Sequence, residues 1–207
     1  MKLPTDYIDK PEWTLIGPMG PELPPHLLLH PVLAVDGGAA LTTKIDVWVG
    51  DSDSFLGEVK APHIFRHPPV KDFSDLALAF ELLRGSKARR IHLWGFLGGR
   101  KDHELFNLGV AQSFLKHHKE SEIFFYDSKS LAFHFLGPGH WKFEHQGLFS
   151  IGCIEKTSFT LNGACQYTVS KMQELTPLSS FGLSNQARGE VTLDNQGPVF
   201  IYFPEGK

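Results

Sequence analysis

Ile45-Asp46-Val47-Trp48-Val49, followed by Gly50-Asp51-Ser52-Asp53-Ser54, is the stretch that decides the fold. The first five residues are mainly apolar and β-branched or aromatic, which predicts a buried strand. Gly50 gives the backbone freedom to turn at its end, and Ser52 and Ser54 are small enough not to block the turn. Two carboxylates one residue apart, Asp51 and Asp53, can converge on one hard cation if the backbone turns there. Mg²⁺ takes oxygen ligands and is typically held by one or two carboxylates together with substrate phosphates. Alone, the same five residues also describe an ordinary solvated turn.

Outward from this turn, strands and helices alternate. Apolar runs at 13–17, 32–35, 91–96 and 123–126 predict further strands. Leu76, Ala79, Phe80 and Leu83 share one helical face, with Ser74 placed to cap and Asp75 in the first turn, where the helix dipole favours negative charge. A second amphipathic helix carries Leu105, Leu108, Ala111 and Leu115. Residues 55–70, interrupted by Pro62, Pro68 and Pro69, read as irregular. This alternation predicts a Rossmann-like α/β domain over 1–137, a mainly parallel sheet with helices on its faces. From 138 to 207 short strand-like runs follow one another without a helical period, which predicts a smaller antiparallel β domain.

The 207 residues suit one domain, or a larger and a smaller one. A net charge of −3 argues against a nucleic-acid binder working through a basic face. No apolar run approaches the roughly 20 residues of a membrane helix, and the polar opening lacks a signal-peptide core. Cys153 and Cys165 are expected to be reduced, in a cytoplasmic protein. Eleven histidines invite a metal site, but no pair has zinc-site spacing.

Asp36, Asp51, Asp53 and Asp75 all fall just beyond a strand or at the start of the helix after one, as does the Gly98-Gly99-Arg100 turn. Ligands of open α/β sheets bind outside the carboxyl ends of strands, so these groups are expected to gather at one edge. Four carboxylates there call for a cation. Arg100 and Lys71 supply what a phosphate chain needs beside it, while Gly37-Gly38 and Gly98-Gly99 let backbone amides approach phosphate. Neither a P-loop nor a dinucleotide fingerprint is present. Taken singly, Asp36 also suits a turn cap, Asp75 a helix-dipole residue and Ser184-Asn185 a β-turn.

Taken together, Asp36-Gly37-Gly38-Ala39, Gly50-Asp51-Ser52-Asp53-Ser54, Lys71-Asp72-Phe73-Ser74-Asp75, Gly98-Gly99-Arg100-Lys101-Asp102-His103, Asn107 and Gly182-Leu183-Ser184-Asn185 resemble, in order and spacing, the thiamine pyrophosphokinase family. The resemblance spans about residues 13–203. It implies a nucleotide-binding α/β domain, a C-terminal β-sandwich that binds thiamine, and a homodimer with active sites between subunits. The implied reaction transfers the pyrophosphoryl group of ATP to thiamine with Mg²⁺, giving thiamine diphosphate and AMP. It implies Asp51, Asp53 and Asp75 as metal ligands, Asp36 at the nucleotide edge and Arg100 on phosphate. Asp102 and His103 fall on the thiamine side, and Ser184 and Asn185 on the thiamine and adenine side. Asp75 and Asp102 are both candidates for the base. The acceptor is thiamine or another small alcohol such as a hydroxymethyl pterin; a nucleotide- or thiamine-binding module without turnover is the non-enzymatic alternative. The first strand departs from the family in ending Gly17-Pro18-Met19-Gly20, without adjacent glycines.

Overall fold

Two connections that a doubly wound fold would fill with α-helix are too rich in proline or glycine to do so. Pro24 and Pro25 precede three leucines, and Pro25–Leu29 forms only a 3₁₀ turn. Asp36–Leu41, with two adjacent glycines, does the same. The computed structural model describes residues 2–21, 23–51, 58–68, 72–127 and 130–205. Within them, a short helix α1 (Thr5–Ile8) precedes strands β1 (Glu12–Ile16), β2 (Val32–Val35), β3 (Val47–Gly50) and β4 (His63–Arg66). Helix α2 (Asp75–Leu83), β5 (Arg90–Trp94), helix α3 (Lys101–Leu115) and β6 (Glu122–Asp127) follow. The chain then runs through β7 (Ser130–Leu136), β8 (Gly139–Gly152), β9 (Thr157–Cys165), β10 (Val169–Leu175), β11 (Asn185–Asn195) and β12 (Val199–Tyr202).

The twelve strands form one mixed sheet in the order β10-β9-β11-β8-β12-β7-β6-β5-β1-β2-β3-β4. The expected Rossmann-like parallel sheet with flanking helices, joined to a separate smaller β-sandwich, is therefore corrected. Two physical causes are visible. The 3₁₀ connections leave α2 and α3 as the only α-helices longer than four residues among the described residues. In addition, β8 is 14 residues long and serves two neighbours. It pairs antiparallel with β11 from Gly139 to Phe149 and with β12 from Ser150 to Gly152, so the ladder continues through it.

Around β1 the pairing is parallel, with β2 and β5 on its two sides and β3 and β4 beyond β2. The core here holds Trp13, Leu15, Ile16, Leu33, Val47 and Trp48, all fully buried. Each such large side chain contributes roughly 1.5–3 kcal/mol of burial free energy. Helix α2 buries Leu76, Ala79, Phe80, Leu82 and Leu83, and the Ser74 side chain accepts a hydrogen bond from the Ala77 amide at 3.2 Å as its N-cap. Residues 63–66, expected to be irregular, are instead the edge strand β4, whose alternating exposure reflects one covered face and one wet one. The chain divides into two compact units, Met1–Val110 with Phe125–Lys129 and Ala111–Phe124 with Ser130–Lys207. In the second, Phe149, Phe159, Val191, Leu193 and Ile201 are buried between antiparallel strands. No described helix is long and apolar enough to cross a membrane.

Candidate active site

Parallel pairing points the carboxyl ends of β1, β2, β3 and β5 in one direction, and the segments leaving them meet around a cavity of about 530 Å³. β1 supplies Pro18 and Met19, β2 supplies Val35 and Asp36, and β3 supplies Asp51. The segment after β5 adds Gly95, Phe96, Gly99 and Arg100, the first turns of α2 and α3 add Asp75, Leu76, His103 and Glu104, and the second turn of α3 adds Asn107. Two helix N-termini therefore open on the same space, with amides and dipole ends that favour anionic oxygens.

The backbone around the cavity is tightly constrained. Gly38 lies so close to β1 that an added Cβ would sit 2.0 Å from the Ile16 carbonyl oxygen. Gly95 has φ +78°, and a Cβ there would meet the Gly17 carbonyl oxygen at 2.4 Å. Only glycine allows these two approaches, which bring the ends of β1, β2 and β5 together. Asp36 itself has φ +47° although it is not glycine. Its carbonyl accepts a hydrogen bond from Nε1 of the buried Trp48 at 3.0 Å, an anchor that holds this left-handed conformation. Gly17 N donates to the Trp94 carbonyl at 2.7 Å and Met19 N to the Gly95 carbonyl at 3.0 Å, which fixes the Pro18-Met19 wall.

On the α3 side, Arg100 donates from Nε to Asp102 Oδ1 at 3.1 Å and from Nη2 to Asp102 Oδ2 at 2.5 Å. This two-point hydrogen bond, helped by the His103 amide at 3.0 Å, holds the Asp102 carboxyl down to about 2. Glu104 is also lowered, chiefly by its hydrogen bond from Lys101 at 2.8 Å. Its Oε1 accepts from the Gly98 amide at 2.6 Å, pinning the glycine turn to the start of α3. Asn107 Nδ2 donates to the Phe96 carbonyl at 3.0 Å and ties down the other end of that segment.

Of the residues singled out from sequence, Asp36, Asp51, Asp75, Gly99, Arg100 and His103 line this one cavity. Asp102 stands at its rim as the partner of Arg100, and Gly37, Gly38 and Gly98 belong to the backbone beneath it. Asp53 and Lys71 lie outside the described residues. Ser184 and Asn185 belong to the second unit. Ser184 has φ +56° and donates its amide to Ser150 Oγ at 3.1 Å. Buried Asn185 accepts from the Tyr167 amide at 3.0 Å and donates to the Tyr167 carbonyl at 2.7 Å, clamping that loop. It also lines a cavity of about 220 Å³ with Phe159, Tyr167, Phe181 and Leu183. Met19, Phe73, Phe96 and Glu104 line the larger cavity without having been singled out. The one signal for Glu104 was its acidic side chain in the first turn of α3, where the helix dipole favours negative charge.

The donor set suits a hard divalent cation, because Asp36, Asp51 and Asp75 offer carboxylate oxygens to one cavity that also holds Arg100.

Residues 29–125 match the family model described as "Thiamin pyrophosphokinase, catalytic domain". A thiamine pyrophosphokinase structure from Bacillus subtilis superposes with a TM-score of 0.71 at 21% identity, covering 92% of this chain and 97% of that one. The thiamin pyrophosphokinase of Candida albicans gives a TM-score of 0.71 at 14% identity, with coverages of 97% and 91%. The yeast thiamin pyrophosphokinase gives 0.61 at 12% identity, with coverages of 97% and 89%. At these identities the structures show a shared fold. No curated protein matches the chain.

Proposed function

We propose a reaction for this chain from one premise: through residues 29–125 it belongs to the thiamin pyrophosphokinase family and is an enzyme of thiamine diphosphokinase type. The proposed reaction moves the pyrophosphoryl group of ATP to the hydroxyl of thiamine, giving thiamine diphosphate and AMP. The observation that carries it is the meeting of Asp36, Asp51, Asp75 and Arg100 around one cavity faced by two helix N-termini. Such a transfer needs positive charge and alignment more than a nucleophilic side chain.

In this reading Asp51, Asp53 and Asp75 hold Mg²⁺, with Asp36 at the nucleotide edge. Bound Mg²⁺ neutralises polyphosphate charge and favours the in-line displacement. The amides of Gly37 and Gly38 and the side chains of Lys71 and Arg100 take phosphate oxygens, while Glu104 holds the Gly98-Gly99 turn in place beside them. Asp102 orients Arg100 through its two hydrogen bonds. Asp75 and Asp102 are the two candidate bases for the hydroxyl. His103, with Asp102, faces the acceptor. Residues 1–137 would carry the nucleotide and 138–207 the thiamine, with Ser184 and Asn185 on that side. A cytoplasmic homodimer completes the proposal.

The test is direct. Purified full-length protein with ATP, Mg²⁺ and thiamine is expected to yield AMP and thiamine diphosphate in equal amounts. Absence of both products sinks the proposal, and AMP formed only with another small alcohol reassigns the acceptor. Size-exclusion chromatography with light scattering checks the dimer.

A further inference from the structure

At the amino ends of the same parallel strands, three side chains distant in sequence converge. Glu12 opens β1, His92 lies on β5 beside Thr14, and His30 immediately follows the 3₁₀ turn before β2. Glu12 Oε1 lies 2.9 Å from His92 Nε2 and 3.4 Å from His30 Nε2. One oxygen or nitrogen from each of the three falls within 4.8 Å of the others. The two imidazole rings are stacked, 5.5 Å apart and 11° from parallel, so both present Nε2 to the same carboxylate.

The placement is enforced from behind. Thr14 Oγ1 donates to the Leu27 carbonyl at 2.7 Å, and the Thr14 amide donates to the Pro31 carbonyl at 3.0 Å. These two bonds bracket His30 and hold it against β1. On the far side of His92, Nδ1 lies 2.8 Å from the Tyr126 hydroxyl. Metal-ligating histidines typically have their second ring nitrogen engaged in this way, which fixes ring orientation. The three side chains are partly exposed, between 12% and 26%, so a cation can enter from solvent.

We infer that Glu12, His30 and His92 form a binding site for one borderline-soft divalent cation of the Zn²⁺ class, with Tyr126 as positioning residue. Two imidazole nitrogens and a carboxylate suit Zn²⁺, whereas Mg²⁺ prefers oxygen, so this cluster is chemically unlike the Asp51–Asp75 cavity. Three protein ligands leave a fourth, solvent-filled position. Coordination uses the lone pair on His92 Nε2, so the neutral ring carries its proton on Nδ1, where the Tyr126 oxygen accepts it.

The full-length protein, stripped with a chelator and titrated with ZnCl₂ by calorimetry, is expected to bind one more equivalent of Zn²⁺ than its His30→Ala variant. His30 is partly exposed, so this variant should fold, and circular dichroism checks that it does. His140→Ala removes a surface histidine paired with Asp194 and is expected to keep the full stoichiometry. Tyr126→Phe is expected to weaken binding about 10–100-fold at unchanged stoichiometry. Equal Zn²⁺ binding by wild type and His30→Ala would overturn the site, and unchanged affinity in Tyr126→Phe would overturn the role given to that residue. None of these readings depends on diphosphoryl transfer, so the two proposals fail separately.

Discussion

The two ends of the parallel strands in the first unit are built on opposite principles. At the carboxyl ends, helix N-termini, glycine-dependent loops and three aspartates surround an open cavity of about 530 Å³. Toward the amino end of β1, Glu12, His30 and His92 meet in a partly exposed cluster, and the Tyr126 hydroxyl extends it through His92. The difference follows from strand direction. In parallel pairing, every helix that follows a strand begins at the carboxyl edge, which concentrates amide donors and positive dipole ends there. On the other side, Glu12 and His92 satisfy one another, with His30 beside them. On the two proposals above, one edge takes an anionic ligand carried with a hard cation and the other a cation held by nitrogen.

The largest test of this contrast is Asp51→Asn. It is expected to cut diphosphoryl transfer on the order of 10²–10³-fold with an unchanged circular dichroism spectrum; near-normal turnover would remove that carboxylate from the site. Gly38→Ala attacks the scaffold of the same edge. Its Cβ would sit 2.0 Å from the Ile16 carbonyl oxygen, and the expected loss is about 3 kcal/mol in urea unfolding. At the other edge, Thr14→Val breaks the buried hydrogen bond to the Leu27 carbonyl. It is expected to cost about 1–2 kcal/mol of stability while leaving transfer intact, and a loss of turnover there would blur the contrast. The smallest effect is electrostatic. In a carboxyl NMR titration Asp102 is expected to titrate at about 2, and Arg100→Gln should return it toward the ordinary range. Because the folded pKa is depressed, the pairing stabilises the fold above the unfolded pKa and is lost as pH falls through about 2. The pair is exposed, so the change in stability should be small.

How far the molecule is legible in its sequence depends on what holds each element. β2 and β3 are buried throughout and β1 and β5 at most positions, and their mainly apolar sequences announce them. β4 and β10 are edge strands, half or mostly exposed, stabilised by backbone pairing that side-chain pattern does not record. The single mixed sheet was missed for a similar reason. Nothing in residues 139–152 distinguishes a strand with one partner on a side from one that passes from β11 to β12. Asp36, Asp51, Asp75 and Arg100 were found because each follows a strand end or opens a helix. Met19, Phe73 and Glu104 were not, because membership of the cavity depends on which loops meet.

The sequence by itself determined the strand cores, the helix cap at Ser74 and the turn at Asp36-Gly37-Gly38, because each rests on residues a few positions apart. Only the tertiary structure decided that one sheet carries both halves of the chain. It alone brought His92 to Glu12, 80 positions away, with His30 beside them. No local spacing encodes that meeting. It is fixed by the register of three parallel strands, a property of the assembled sheet.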